Sequence, residues 1–322
     1  MKTFLAILLI SCMVQTDFAQ QEMHYGDDSR LGVPFSKDPH VIKFQGRYLM
    51  YTSAPGLASR SDMKGWGIGV AESKNMIDWV KIGEIDPVGT LEQKGICAPC
   101  ALVVNDTVHL FYQTYGNWKE DAICHAWSKD GLHFTRNETN PIFRPTGEWN
   151  CGRAIDAEVY RFNDQYYLYF ATRDPSMKTQ FMGVATSPLN GRFKRETWSQ
   201  QCAQPILKPE YPWEGFCTEG ASVIQKGDYL YMFYAGAYNN QPQQIGVARS
   251  RDGMTWEKLS NKPFLCNGDP GSWNSSESGH PHIFEDEDGK TYLFYQGNND
   301  NGKTWYISFM PVFWHKNNPY IK

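Results

Sequence analysis

Three carboxylates and one imidazole stand at corresponding places in a chain that otherwise repeats itself. They are Asp38 in Ser36-Lys-Asp-Pro-His-Val41, Asp156 in Ala154-Ile-Asp-Ala-Glu-Val159, Glu219 in Thr218-Glu-Gly-Ala-Ser222 and His280 in Ser278-Gly-His-Pro-His-Ile283. Each opens a short apolar run that reads as a strand. A carboxyl group kept protonated can hand its proton to a leaving oxygen while a second, kept ionised, activates water; splitting a glycosidic bond needs that pair. A third carboxylate nearby raises the pKa of the acid by like-charge repulsion. An Asp before Pro, or a Glu before Gly, can also be a simple turn residue. Three of them converging is costly unless it serves a purpose, which favours the chemical reading.

The elements that must position these groups are visible as an internal repeat of roughly sixty residues. Its five copies begin at Asp38, Cys100, Asp156, Glu219 and His280. Each has a short apolar strand, a turn rich in Gly, Asn or Asp, and an aromatic strand such as Tyr229-Leu-Tyr-Met-Phe-Tyr234, which together signal a hairpin. A second pair follows, as in Gly67-Ile-Gly-Val-Ala71, Ile123-Cys-His-Ala126 and Ile245-Gly-Val-Ala248 with their trailing turns. Four strands per unit at a near-constant period describe propeller blades, which bury their faces only against neighbouring blades. The expectation is an all-β, five-bladed β-propeller, a single catalytic domain over 21–322. The starts of the inner strands, the loops after the second strands and the connections between blades then share one face, around one end of the central channel.

Composition narrows the partner. The chain has 322 residues, 41% hydrophobic and 20% charged, enough to bury a core. An aromatic share of 15% fits pleated strands and also stacking on sugar rings. A net charge of −4 with no Lys/Arg run excludes nucleic acid, which needs a concentrated basic face. Residues 1–20 carry a charged start, the apolar run Phe4–Ile10 and a small residue, Ala19, near a cleavage point, so they read as a secretory signal and the protein as exported, periplasmic or secreted. Leu9-Ile-Ser-Cys12 also resembles a lipobox, which would put a lipid on Cys12. No later run spans a bilayer. The mature chain keeps seven cysteines, an odd count that leaves at least one unpaired.

The same face should carry Trp149, Trp213 and Trp273, each shortly before an inner strand, as walls of a sugar pocket or as packing between blades. It should also carry Arg153, suited to a hydroxyl or carboxylate, and Arg173 and Asn239 in the loops after second strands, where planar groups make paired hydrogen bonds to hydroxyls. A pocket closed by these connections accepts a chain end and releases monosaccharides.

The four segments quoted above, in this order and one blade apart, resemble the active-site segments of family 43 glycoside hydrolases and their clan relatives over the whole mature chain. The resemblance implies Asp38 as general base, Asp156 as the carboxylate that tunes pKa and positions the sugar, and Glu219 as general acid. It implies an inverting reaction on plant or algal oligosaccharides such as xylosides or arabinofuranosides. It makes His280 the channel histidine that contacts a water or a structural calcium ion, with no cofactor required for the chemistry. The chain departs from the family where Gly220-Ala221 replaces Gly-Pro and in Cys151-Gly-Arg153. Two other readings follow from the same residues: a glycoside phosphorylase or transglycosidase, with Arg153 and Arg173 holding phosphate, and a non-catalytic glycan-binding propeller.

Overall fold

The computed structural model describes residues 23–56 and 65–322; the expected secretory signal over 1–20 and Cys12 lie outside them. Five four-stranded antiparallel sheets form the five blades of a β-propeller. Their inner strands are Lys37–Phe44, Ile96–Val104, Ile155–Phe162, Thr218–Lys226 and Glu277–Glu285. Their second strands are Arg47–Ala54, Thr107–Thr114, Gln165–Arg173, Tyr229–Gly236 and Thr291–Asn298. The third strands are Gly67–Ser73, Ile123–Ser128, Gln180–Pro188, Gln244–Ser250 and Tyr306–His315, and a shorter outer strand completes each blade. The turn chemistry explains the inner hairpins: Gln45-Gly46, Asn105-Asp106 and Asn163-Asp164 all have positive φ, the requirement of a two-residue type I′ turn.

Side chains of adjacent blades interdigitate into separate apolar clusters, such as Leu49, Ile68, Leu110 and Tyr112 between the first two blades. The seam between the last blade and the first is closed by the chain's early residues. Tyr25 exchanges backbone hydrogen bonds of 2.8 and 2.7 Å with Ile307 on the last blade, and Met23, Val41, Tyr48, Phe294 and Ile307 share one buried cluster. Among the described residues no helix is long and apolar enough to cross a membrane, and all seven described cysteines are free.

One irregularity repeats in every blade and matters for the site. The inner strands each slip register between the first and fourth residues of Lys37-Asp-Pro-His40, Cys97-Ala-Pro-Cys100, Ile155-Asp-Ala-Glu158, Glu219-Gly-Ala-Ser222 and Gly279-His-Pro-His282. The second residue of each quartet has positive φ: Asp38 51°, Ala98 48°, Asp156 51°, Gly220 60° and His280 44°. Such bulges re-aim side chains, and a non-glycine residue held there costs about 1–2 kcal/mol. In three blades the strained N–H is held by the preceding blade: Asp38 donates to Gln296 Oε1 at 2.8 Å, Ala98 to Ser53 Oγ at 2.7 Å and Asp156 to Gln113 Oε1 at 2.6 Å.

The quartets also correct the alignment of the four candidate residues. Asp38, Asp156 and His280 occupy the bulge itself, whereas Glu219 stands one place earlier, level with Lys37, and Gly220 fills its blade's bulge. The glycine has a second reason beyond its φ, since a Cβ on Gly220 would lie 3.2 Å from the ring of His280.

Candidate active site

The bulges bring Asp38, Asp156, Glu219 and His280 together around a cavity of about 170 Å³ at one end of the channel. His280 is the hub. Its Nε2 lies 3.6 Å from Asp38 Oδ1 and 3.6 Å from Asp156 Oδ1. Burial alone would favour its neutral form, but Asp38, Asp156 and Glu219 around it push its pKa up to about 9, so the imidazole is a cation at neutral pH.

Burial works to raise the pKa of Asp38, and is outweighed by the charges of His280 and Lys37 and by the hydroxyl of Ser53, which donates to Oδ2 at 2.5 Å; the carboxyl is held below its ordinary value. Glu219 is displaced the other way. Its burial and the neighbouring charge of Asp156 raise its pKa, more than the charge of His280 lowers it. Gln243 Nε2 donates to Glu219 Oε1 at 2.7 Å, and Gln180 Nε2 donates to Oε2. Two carboxyls displaced in opposite directions, one toward its ionised form and one toward its protonated form, are suited to the roles of base and acid.

The walls differ in part from the sequence-based expectation. Arg153, Arg173 and Asn239 line the cavity, together with Lys37, Trp66, Cys97, Gln113, Tyr115, Ile155, Gln180 and Tyr238. Trp149, Trp213 and Trp273 do not. Trp149 packs 5.5 Å from Phe181. The ring of Trp213 lies on Gly236, where a Cβ would approach it to 2.3 Å, and stacks 6.0 Å from Tyr234. Trp273 lies 5.5 Å from Tyr295 and 4.6 Å from His24. All three join the apolar clusters between blades, because the glycine-ended or small-residue strands beside them leave ring-sized gaps that indoles fill.

The residues missed have a signal in the repeat. Two places before the third-strand pattern of Ile68-Gly-Val-Ala, Ile123-Cys-His-Ala, Met182-Gly-Val-Ala, Ile245-Gly-Val-Ala and Ile307 stand Trp66, Asp121, Gln180, Gln243 and Trp305. Trp66 is a wall and the two glutamines hold Glu219. Asp121 pairs with Arg153 at 3.2 Å, and Trp305 carries Lys37 Nζ 4.6 Å above its ring. Gln113 and Gln296 likewise follow a Phe-Tyr pair at the end of a second strand.

One layer deeper, the last residue of each quartet forms a ring across the channel: His40, Cys100, Glu158, Ser222 and His282. Ala101 N donates to His40 Nδ1 at 3.2 Å, Val159 N to Cys100 Sγ at 3.3 Å, Val223 N to Glu158 Oε1 at 2.9 Å and Ile283 N to Ser222 Oγ at 3.0 Å. His282 Nε2 returns to the first blade, bonding the carbonyl of Val41 at 2.9 Å. His40, Cys100 and Glu158 are close enough to share a metal ion. Their hydrogen bonds argue otherwise: a His40 Nδ1 that accepts leaves the ring's proton on Nε2, directed at Glu158 Oε2 3.4 Å away, so His40 turns no lone pair toward the cluster.

Comparison with known proteins agrees with this architecture. The sequence model of "Glycosyl hydrolases family 43" matches residues 33–310. A curated relative, a xylan 1,3-β-xylosidase of a Vibrio species, is 22% identical over 278 residues, covering 80% of this chain and 47% of its own length. The chain spans about half the length of the curated relatives it matches. The crystal structure of a thermostable family-43 glycoside hydrolase superposes with a TM-score of 0.68 at 22% identity, covering 92% of this chain and 96% of that one. An endo-1,4-β-xylanase from Bacteroides thetaiotaomicron gives 0.67 at 22% identity, with 89% and 94% covered. With its family pattern matched across nearly all the described blades, the chain belongs to family 43 of the glycosyl hydrolases.

Proposed function

We propose that this protein is an inverting, exo-acting glycoside hydrolase that removes single terminal sugars, pentosides such as xylosides or arabinofuranosides, from plant or algal oligosaccharides. The observation that carries the reading is the opposed displacement of Asp38 and Glu219 around one small cavity. Asp38, ionised, takes a proton from water; Glu219, protonated, gives one to the glycosidic oxygen; Asp156 keeps Glu219 neutral and shares the charge of His280. A cavity of about 170 Å³ is smaller than sites for drug-sized ligands, roughly 300–1,000 Å³, and suits one sugar ring. The name of the Vibrio relative supports a xyloside as the first substrate to try. The test is the product of hydrolysis followed by proton NMR and by chain length. Monosaccharide released early with inverted anomeric configuration is expected; retained configuration, or a ladder of mixed oligosaccharides, would sink this reading.

The calcium or water that the resemblance attaches to His280 meets an observation here: His280 Nδ1 and Nε2 and Asp156 Oδ2 are buried without a hydrogen-bond partner among the described residues. A water received there would satisfy them, and a calcium ligated by the ring would compete with the proton that Asp38 and Asp156 favour on it.

The pH profile follows from these charges. Activity needs Asp38 ionised and Glu219 protonated, so kcat/KM should rise through the depressed pKa of Asp38 and fall through the raised pKa of Glu219. The charge of His280 lowers both. In His280→Gln both limbs should move to higher pH. A profile of His280→Gln that superposes on the parent's would show that the histidine carries no charge.

A further inference from the structure

Besides His280, two of the cations around the cavity have carboxylates to face. Arg153 pairs with Asp121 at 3.2 Å, and Lys37 lies in the fields of Asp38, Glu277 and Glu219 while its ammonium donates to Asn239 Oδ1 at 2.6 Å. Arg173 is different. It lines the cavity, yet among the described residues no carboxylate lies within ion-pair distance of it. Its Nε donates to Gln180 Oε1 at 2.8 Å and its guanidinium stacks 5.0 Å from the ring of Tyr238. These contacts orient the group and use one of its five N–H bonds, leaving the terminal nitrogens without a partner among the described residues.

The direction of a partner follows from Gln180. The same amide that accepts from Arg173 donates to Glu219, so one side chain separates the guanidinium from the acid. The acid must face the oxygen that leaves. Arg173 thus stands one amide from the acid, on the rim at the end of its strand, where a group on the leaving-group side of the scissile bond comes within reach.

We propose that Arg173 binds an oxyanion carried by the leaving-group sugar, so that the natural substrate is an acidic glycan from which a terminal neutral sugar is cut. The inference rests on the assignment of Glu219 as acid. A carboxylate of a uronic acid and a sulfate ester share the required chemistry, two oxygens in a plane matched to the guanidinium fork. Inorganic phosphate is a worse occupant of the site as a whole, because a dianion that close to the Asp38 carboxylate would meet like charge.

The test uses aryl glycosides of the accepted sugar, matched in leaving-group acidity: one with a ring carboxylate, one with a ring sulfate ester and one with the carboxylate as its methyl ester. A charged hydrogen bond is worth about a ten- to hundredfold change. The parent enzyme should prefer one anionic member over the ester by about that factor, the two anionic arms telling carboxylate from sulfate, and Arg173→Gln should abolish the preference while Arg173→Lys keeps part of it. A merely structural role, through Gln180 and Glu219, would lower all three rates alike and leave their ratio unchanged, which overturns the proposal. Turnover that depends on added phosphate and yields a sugar phosphate would overturn it too. Calorimetry with methyl glucuronide and methyl glucoside needs no catalysis. If the enzyme hydrolyses nothing, tighter binding of the glucuronide that is lost in Arg173→Gln supports the anion site alone, and equal binding of the two refutes it.

Discussion

Glu219→Gln should lower kcat/KM for a natural oligosaccharide about 10²–10⁴-fold, the range attributable to a positioned acid. The amide keeps the volume of the side chain, and only one flanking glutamine, Gln243, has to turn its own amide to accept from the new NH2 while Gln180 stays held by Arg173, so the melting temperature should change little. The diagnostic is the leaving group. A nitrophenolate departs without a proton, so on an aryl glycoside the variant should retain most of the parent's rate. Should the two substrates suffer equally, Glu219 cannot be the proton donor. The alkaline limb of the pH profile should vanish in the same variant, because that limb reports the loss of Glu219's proton.

Asp38→Asn should cost a similar factor, about 10²–10⁴, but without regard to the leaving group, because water must be activated whichever aglycone departs. The acid limb of the profile should disappear with it, since the ionisation that drives that limb belongs to Asp38. The substitution also removes one of the two carboxylates 3.6 Å from His280 Nε2, so the pKa of the imidazole should fall from about 9. Histidine titration by NMR reads this directly. Loss of activity with an unchanged His280 titration would separate Asp38 from the charge cluster and argue for a different base.

Much of the fold was legible because propeller blades repeat, and repetition shows in a single sequence. The inner hairpins announced themselves through Asn105-Asp106 and Asn163-Asp164, and the four polar groups could be placed at one channel mouth from strand order alone. Two things were not legible. Glu219 looked equivalent to Asp38 because pattern matching counts residues, whereas the bulge changes which residue points where. Trp149, Trp213 and Trp273 looked like sugar platforms because aromatic type and loop position suit both uses; only the glycine at 236 and the packing of Tyr234, Tyr295 and Phe181 decide for the blade interior. Gln180 and Gln243 were written in the repeat but carry no charge, so no argument from ionisable groups could find them.

The ring of His40, Cys100, Glu158, Ser222 and His282 bears on how the propeller closes. Four of its links join a blade to the next one along the chain, at separations near sixty residues, and can form as neighbours meet. The fifth, from His282 to Val41, spans 241 residues and can close only when the two ends of the sheet array find each other. Closing so long a loop carries the largest entropic cost of the five, and a missing link leaves a buried backbone group unsatisfied at about 1–3 kcal/mol. The reacting groups come from the first, third, fourth and fifth blades, so they are assembled only after that joint shuts. On the proposed roles, a partly folded chain, however many blades it has completed, would bring no base opposite its acid, and catalytic competence would arrive in a single late step.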